Sequence, residues 1–202
     1  MVKLYKGKTV LDNVDLSLSA GKSAVIVGRN GAGKSTLLSI LAGYLRPDSG
    51  VVSGEKTAFC PQFDDLFEDL TVRDNYLFWS KARGASLGVD YAEILGVNEY
   101  WNKRVKHLSG GMKKSVAIIC ALTGNEKVLI LDEPFASLDI FYKKQLLTVF
   151  EQLLGRGISV IYSSHNIDEI MGLNSDIYTL SNGRLSHLGL RDDFHGDLLC
   201  GI

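Results

Sequence analysis

Three short apolar runs constrain this chain more than any other feature. Ala24-Val25-Ile26-Val27, Val128-Leu129-Ile130-Leu131 and Val160-Ile161-Tyr162 show no alternation with polar residues. A strand with one wet face alternates, whereas a strand buried on both faces does not. Such runs predict a mainly parallel sheet covered by helices on both sides. Each run also stops at polar residues. The first meets a glycine-rich turn, the second Asp132-Glu133-Pro134, the third Ser163-Ser164-His165. In open α/β folds, ligands bind at that carboxyl edge.

Helical patterns lie between the runs. Residues 35–45 follow the glycine turn, and 141–154 carry apolar residues at helical spacing up to Gly155. Residues 112–123 open after Ser-Gly-Gly and stop at Gly124, which is expected at the C′ position. The stretch 64–107 is richer in aromatic and charged residues and has no buried-strand run. It reads as a mainly helical insertion into the α/β core, extending to about residue 122. A chain of 202 residues suffices for one domain with a real core and not for two full ones, so 1–202 reads as one domain.

Composition narrows the classes. A formal net charge of −1 offers no basic footprint, and no nucleic-acid partner is expected. Cys60, Cys120 and Cys200 lie far apart without CxxC spacing, and the four histidines show no metal spacing. A reducing, intracellular compartment and no structural metal are expected. The opening MVKLYKGKTVL has no apolar signal-peptide core. No apolar run approaches the roughly 18 residues of a bilayer span, so another chain would supply any membrane part.

The turn after the first run is Gly28-Arg29-Asn30-Gly31-Ala32-Gly33-Lys34-Ser35, followed by Thr36. It fills every fixed position of GxxxxGK[ST], between a buried strand and a helix, which is the context that gives the pattern meaning. Glycines let the backbone curl so that successive N–H groups converge on phosphate oxygens. The helix N-terminus adds a positive dipole end. Lys34 would reach the β- and γ-phosphates, and Ser35 would ligate Mg²⁺. The second run ends in paired carboxylates. Asp132 suits a hard cation. Glu133, where the backbone turns, can face the γ-phosphate and orient or deprotonate a water.

Between these motifs stands Leu108-Ser109-Gly110-Gly111-Met112, and here the chain resembles the ABC ATPases, whose signature motif this is. The resemblance runs from Tyr5 to about Arg184, with further motifs in order. Pro61-Gln62 resembles the Q-loop, Ser137-Leu138-Asp139 the D-loop, His165 the switch histidine, and Tyr5 the aromatic residue that stacks on adenine. The resemblance implies a phosphate-loop ATPase core with a helical subdomain. It implies ATP and Mg²⁺ as cofactors, and a head-to-tail dimer, of identical or different ATPase chains, with two nucleotides at its interface. Each ATP would lie on one chain's phosphate loop and under Ser109, Gly110 and Gly111 of the other. Ser109 is a good N-cap, and the two glycines expose N–H groups at a helix start. Gln62 would touch Mg²⁺ or the attacking water, Asp139 would shape the interface, and His165 would hold the γ-phosphate.

The family's usual setting is a transporter, with this chain on the cytoplasmic face beside separate permease subunits. A groove around Phe63-Asp64-Asp65-Leu66-Phe67 would take a helix of the permease. Met112-Lys113-Lys114, in place of an importer's glutamine, resembles export-type systems. A soluble ATPase of assembly or repair is the alternative. A degenerate, non-hydrolysing module is disfavoured by intact Lys34, Asp132, Glu133 and His165. The short stretch from Gly50 to Cys60 leaves room for only a reduced antiparallel β region.

Overall fold

The computed structural model describes residues 1–62, 65–84, 89–136 and 138–191. Strands β1 (Lys3–Tyr5) and β2 (Lys8–Leu11) form an antiparallel hairpin. Then come β3 (Ser23–Val27), α1 (Lys34–Leu41) and β4 (Thr57–Cys60). Helices α2 (Val72–Arg83), α3 (Val89–Ala92) and α4 (Gly110–Ala121) follow, with two 3₁₀ turns between the last two. The chain re-enters the sheet as β5 (Val128–Leu131), α5 (Ile140–Gly155) and β6 (Ser159–Ser164). It closes with α6 (Ile167–Ile170), β7 (Asp176–Ser181) and β8 (Arg184–Leu190).

The main sheet has the order β4-β5-β6-β3-β7-β8. Every pairing in it is parallel except β7 with β8. The three apolar runs are its neighbouring central strands β3, β5 and β6. They fail to alternate because both faces are covered. Val25, Val27, Leu129, Leu131, Val160 and Tyr162 join one core with residues of α4 and α5. Ala24, Ile26, Ile130 and Ile161 join another with Leu37, Leu38 and Ile40 of α1. Burial of this kind contributes roughly 1.5–3 kcal/mol for each large side chain.

The antiparallel region is small, as expected from the short link between α1 and β4. Outside the β1–β2 hairpin it retains one bridge, Val2 with Ser49. Helices α2 and α4 begin with side-chain caps. Thr71 accepts the Asp74 N–H at 3.1 Å, and Ser109 accepts the Met112 N–H at 3.3 Å. These bonds satisfy donors that the first helical turn leaves without partners.

Two helix ends differ from expectation. Helix α4 stops at Ala121, and Gly124 is not in the left-handed region that a C′ glycine adopts. The Thr123 hydroxyl donates to the Cys120 carbonyl at 2.7 Å and meets a terminal acceptor without a glycine. Helix α5 includes Gly155, and Gly157 (φ 77°) is the left-handed residue. Gly157 N–H bonds Leu154 O at 2.9 Å and Ile158 N–H bonds Leu153 O at 2.9 Å, the paired bonds of a Schellman motif.

Candidate functional site

The loop between β3 and α1 is held tightly at both ends. A Cβ on Gly28 would lie 2.5 Å from the Leu180 carbonyl oxygen, so β7 leaves room only for glycine. Gly33 sits at φ 105° as the N-cap of α1, and no side chain caps this helix. Its opening turn therefore presents backbone N–H groups toward the loop. Lys34 is buried, with 5% of its surface exposed. Its ammonium donates to the Gly28 carbonyl at 2.8 Å and the Arg29 carbonyl at 3.4 Å. It lies 3.5 Å from Glu133 Oε1. Arg29, Asn30, Gly31 and Ser35 are exposed along the loop, with Ala32 and Thr36 half-buried.

Asp132 and Glu133 follow β5 directly. One hydroxyl, that of Ser163 at the end of the adjacent strand β6, organises both. Ser163 Oγ donates to Asp132 Oδ1 at 2.6 Å and accepts the Glu133 N–H at 2.8 Å. Glu133 has φ 46°, in the left-handed region. Such strain persists where the surroundings over-determine it, and it clusters at functional sites. This turn lets two adjacent residues serve one site: Asp132 stays buried while the Glu133 carboxylate reaches toward Lys34. His165 Nδ1 lies 3.3 Å from Glu133 Oε1. His165 itself is held through Ser164, whose hydroxyl donates to Glu169 Oε2 at 2.6 Å and accepts the Asn166 N–H at 3.1 Å.

These elements surround a cleft of ≈ 410 Å³ lined by Tyr5, Val10, Asn30, Gly31, Gly33, Lys34, Ser35, Thr36, Gln62 and Glu133. The predicted residues thus separate into two groups. Tyr5, the phosphate loop, Gln62 and Glu133 share the cleft, with His165 bonded to Glu133 and Asp132 linked to Glu133 through Ser163. Ser109, Gly110, Gly111 and Asp139 do not line it. Ser109 and Gly110 are exposed and Gly111 is buried at the start of α4. Asp139 caps α5, accepting Phe141 N–H at 2.9 Å and Tyr142 N–H at 3.1 Å. Ser137, Phe63 and Asp64 lie outside the described residues, as does Cys200.

Val10 and Ser163 were not singled out as site residues by sequence. The two serines before His165 were visible at the strand end, but their partners were not. Cys60 and Cys120 are buried. Burial, with Cys60 nearby, pushes the Cys120 thiol up to about 12, far from the thiolate range in which cysteines react.

A mostly parallel sheet with a glycine phosphate loop after one strand and paired carboxylates after its neighbour defines a phosphate-loop ATPase. A family model described as "ABC transporter" matches residues 11–136, and the chain belongs to that family. A second model, described as "AAA domain, putative AbiEii toxin, Type IV TA system", matches residues 102–172. The chain is 32% identical to the linearmycin resistance ATP-binding protein LnrL of Bacillus subtilis, over 95% of this chain and 68% of LnrL. It is 29% identical to the spermidine/putrescine import ATP-binding protein PotA of Mesoplasma florum, over 98% of this chain and 62% of PotA. It therefore spans about two thirds of the length of these relatives. A solved ATP-binding subunit of an ABC transporter superposes with a TM-score of 0.82 at 25% identity, covering 93% of this chain and 87% of that one. The chain is an ATP-binding ATPase unit of the ABC type.

Proposed function

We propose that this chain is the motor of an ABC transporter: ATP closes a head-to-tail dimer and hydrolysis opens it. The observation that carries this reading is the cleft that joins Tyr5, the phosphate loop, Gln62 and Glu133. Tyr5 lines it and is 46% exposed, with the Lys3 ammonium 5.6 Å from its ring centroid, and would stack on adenine. The loop N–H groups and Lys34 would take the phosphates. Ser35, Asp132 and Gln62 would hold Mg²⁺, and a hydroxyl, a carboxylate and an amide are the hard oxygen donors that fit it. Among the described residues no group of three or more His, Cys, Asp or Glu is placed to hold a metal. When bound, the ion supplies charge neutralisation on the phosphates.

Glu133 is the general base in this reading. Its carboxylate is flanked by Lys34 at 3.5 Å and His165 at 3.3 Å, and its backbone is fixed by Ser163. Water attacks the γ-phosphorus as its proton passes to Glu133, the bond from the γ-phosphorus to the bridging oxygen breaks, and ADP and phosphate are the products. His165 hydrogen-bonds the transferring phosphoryl group. Most of the rate enhancement comes from positioning and charge, as phosphoryl transfer requires little covalent help.

The whole chain works here as one ATP-binding unit, with the helices between β4 and β5 as its insertion. Ser109, Gly110 and Gly111 do not line the chain's own cleft and would complete the cleft of a second ATPase chain. Ile140 and Phe141, 74% and 64% exposed beside Asp139, suit burial in that interface. The permease docks on the α2 side, where Phe67 and Phe78, 44% and 47% exposed, meet edge to face at 4.8 Å. Leu66 packs instead against the core. No helix among the described residues is long and apolar enough to cross a membrane, so membrane attachment comes through the permease, on its cytoplasmic face. We take export as the direction, from Met112-Lys113-Lys114 and the resistance protein LnrL, although PotA is an import protein.

Glu133→Gln tests the reading. ATP turnover by the purified chain is expected to fall about 10²–10⁴-fold, the loss typical of a general base. ATP binding should persist, and an ATP-dependent dimer should accumulate in size-exclusion chromatography. Unchanged turnover in this variant overturns the assignment.

A further inference from the structure

We propose that Lys114 is a positioning residue for Gln62, clamping the loop that carries it to helix α4; this inference rests on the reading of Gln62 given above. Strand β4 is the edge of the main sheet, and its ladder with β5 continues to the bond from Asp132 N–H to Cys60 O at 3.0 Å. The next two carbonyls, Pro61 and Gln62, lie past the ladder. Both accept from the Lys114 ammonium, each at 3.0 Å. The root of the Gln62 loop is thus held from two sides, by the backbone of Asp132 and by one lysine of α4.

The chemistry makes this clamp specific. Lys114 is 5% exposed, and a buried ammonium is tolerated only where its donors are taken up. The residues that follow it on α4, Ser115, Val116, Ala117 and Ile118, are buried as well. Pro61 has no N–H, so its main chain can be held by hydrogen bonds only through its carbonyl. Gln62 itself is exposed and lines the cleft with Lys34 and Glu133. The side chain therefore takes its placement from a backbone fixed by Lys114. Helix α4 also begins with Ser109, Gly110 and Gly111. A shift of α4 transmits to the Pro61 and Gln62 carbonyls through the Lys114 ammonium. The same rigid helix then serves the chain's own nucleotide through Lys114 and the second chain's nucleotide through its N-terminus.

The test compares Lys114→Met, Lys114→Arg, Gln62→Ala and the double variant Lys114→Met/Gln62→Ala, made in the full chain. The readouts are affinity for a fluorescent ATP analogue, with Mg²⁺ and with EDTA, and ATP turnover over a Mg²⁺ titration. Lys114→Met should bind the analogue normally in EDTA. It should lose about 10–100-fold in its Mg²⁺ response, the usual cost of removing a group that orients a metal contact. Lys114→Arg, which keeps a charged multiple donor, should restore most of that response, whereas a purely structural role predicts no such split between EDTA and Mg²⁺. The double variant should be no worse than Gln62→Ala, because both changes disable one contact.

A normal Mg²⁺ response in Lys114→Met beside an impaired Gln62→Ala overturns the inference alone. So do losses that multiply in the double variant. An unimpaired Gln62→Ala overturns the Gln62 reading itself, and the positioning role with it. Should Lys114→Met fail to fold by circular dichroism, Lys114→Gln replaces it in every comparison, since its amide keeps a polar tip but lacks the reach and charge.

Discussion

Helices α1 and α4 both have glycine at their start, and they end up in opposite circumstances. Helix α1 starts at left-handed Gly33 without a side-chain cap, and its first turn faces the cleft beside Lys34 and Glu133. Helix α4 starts at Ser109, which caps it, and its exposed start lies apart from that cleft. The uncapped turn belongs to a site assembled within one chain. The capped one has its Met112 N–H satisfied by Ser109 within the chain, which suits a surface that would meet a nucleotide held elsewhere. In the proposed dimer, this difference would let one chain carry one half-site whole and lend the start of α4 to the other.

Substitutions can break that comparison. Lys34→Ala should have the largest effect at the inward helix, weakening ATP binding about 10–100-fold through lost charge-assisted bonds, as read by nucleotide titration. Normal ATP affinity would remove α1 and its loop from the phosphate site. Ser163→Ala should come next. It leaves buried Asp132 and the Glu133 N–H each short of a partner, at a cost of about 1–3 kcal/mol in chemical unfolding, and turnover should fall with it. Full turnover in a folded Ser163→Ala protein would show that Glu133 keeps its left-handed turn without the hydroxyl.

The smallest effects sharpen the contrast. Ser109→Ala and Thr71→Ala each remove a helix cap and should each cost about 1 kcal/mol of stability. Only Ser109→Ala should also weaken the ATP-dependent dimer, measured in the Glu133→Gln background. Equal dimerisation in the two capping variants would mean that the start of α4 takes no part in the interface.

Much of this was legible from residues alone. The three apolar runs are central strands because burial on both faces leaves no alternation, and burial on both faces requires the helices that follow. The phosphate loop and the carboxylate pair were legible because their chemistry is written in consecutive residues. Strands β7 and β8 were not. Their sequences mix polar and apolar residues, and β8 is largely exposed, so its place in the sheet depends on pairing with β7. The end of α4 was misplaced for a related reason: Thr123 satisfies a carbonyl through its side chain, which no glycine pattern reveals.

What the sequence by itself determined is the class of fold and the identity of the phosphate-binding and acidic motifs, since both depend on local periodicity and neighbouring residues. Only the tertiary structure decided how those motifs are joined. Ser163 reaches Asp132 and Glu133 across two strands, His165 meets Glu133 from the next strand, and Lys114 holds Pro61 and Gln62 from a helix more than fifty positions along the chain. Such bonds are invisible in one dimension because the distance that sets a hydrogen bond is measured through space, and chain packing alone brings those atoms within it.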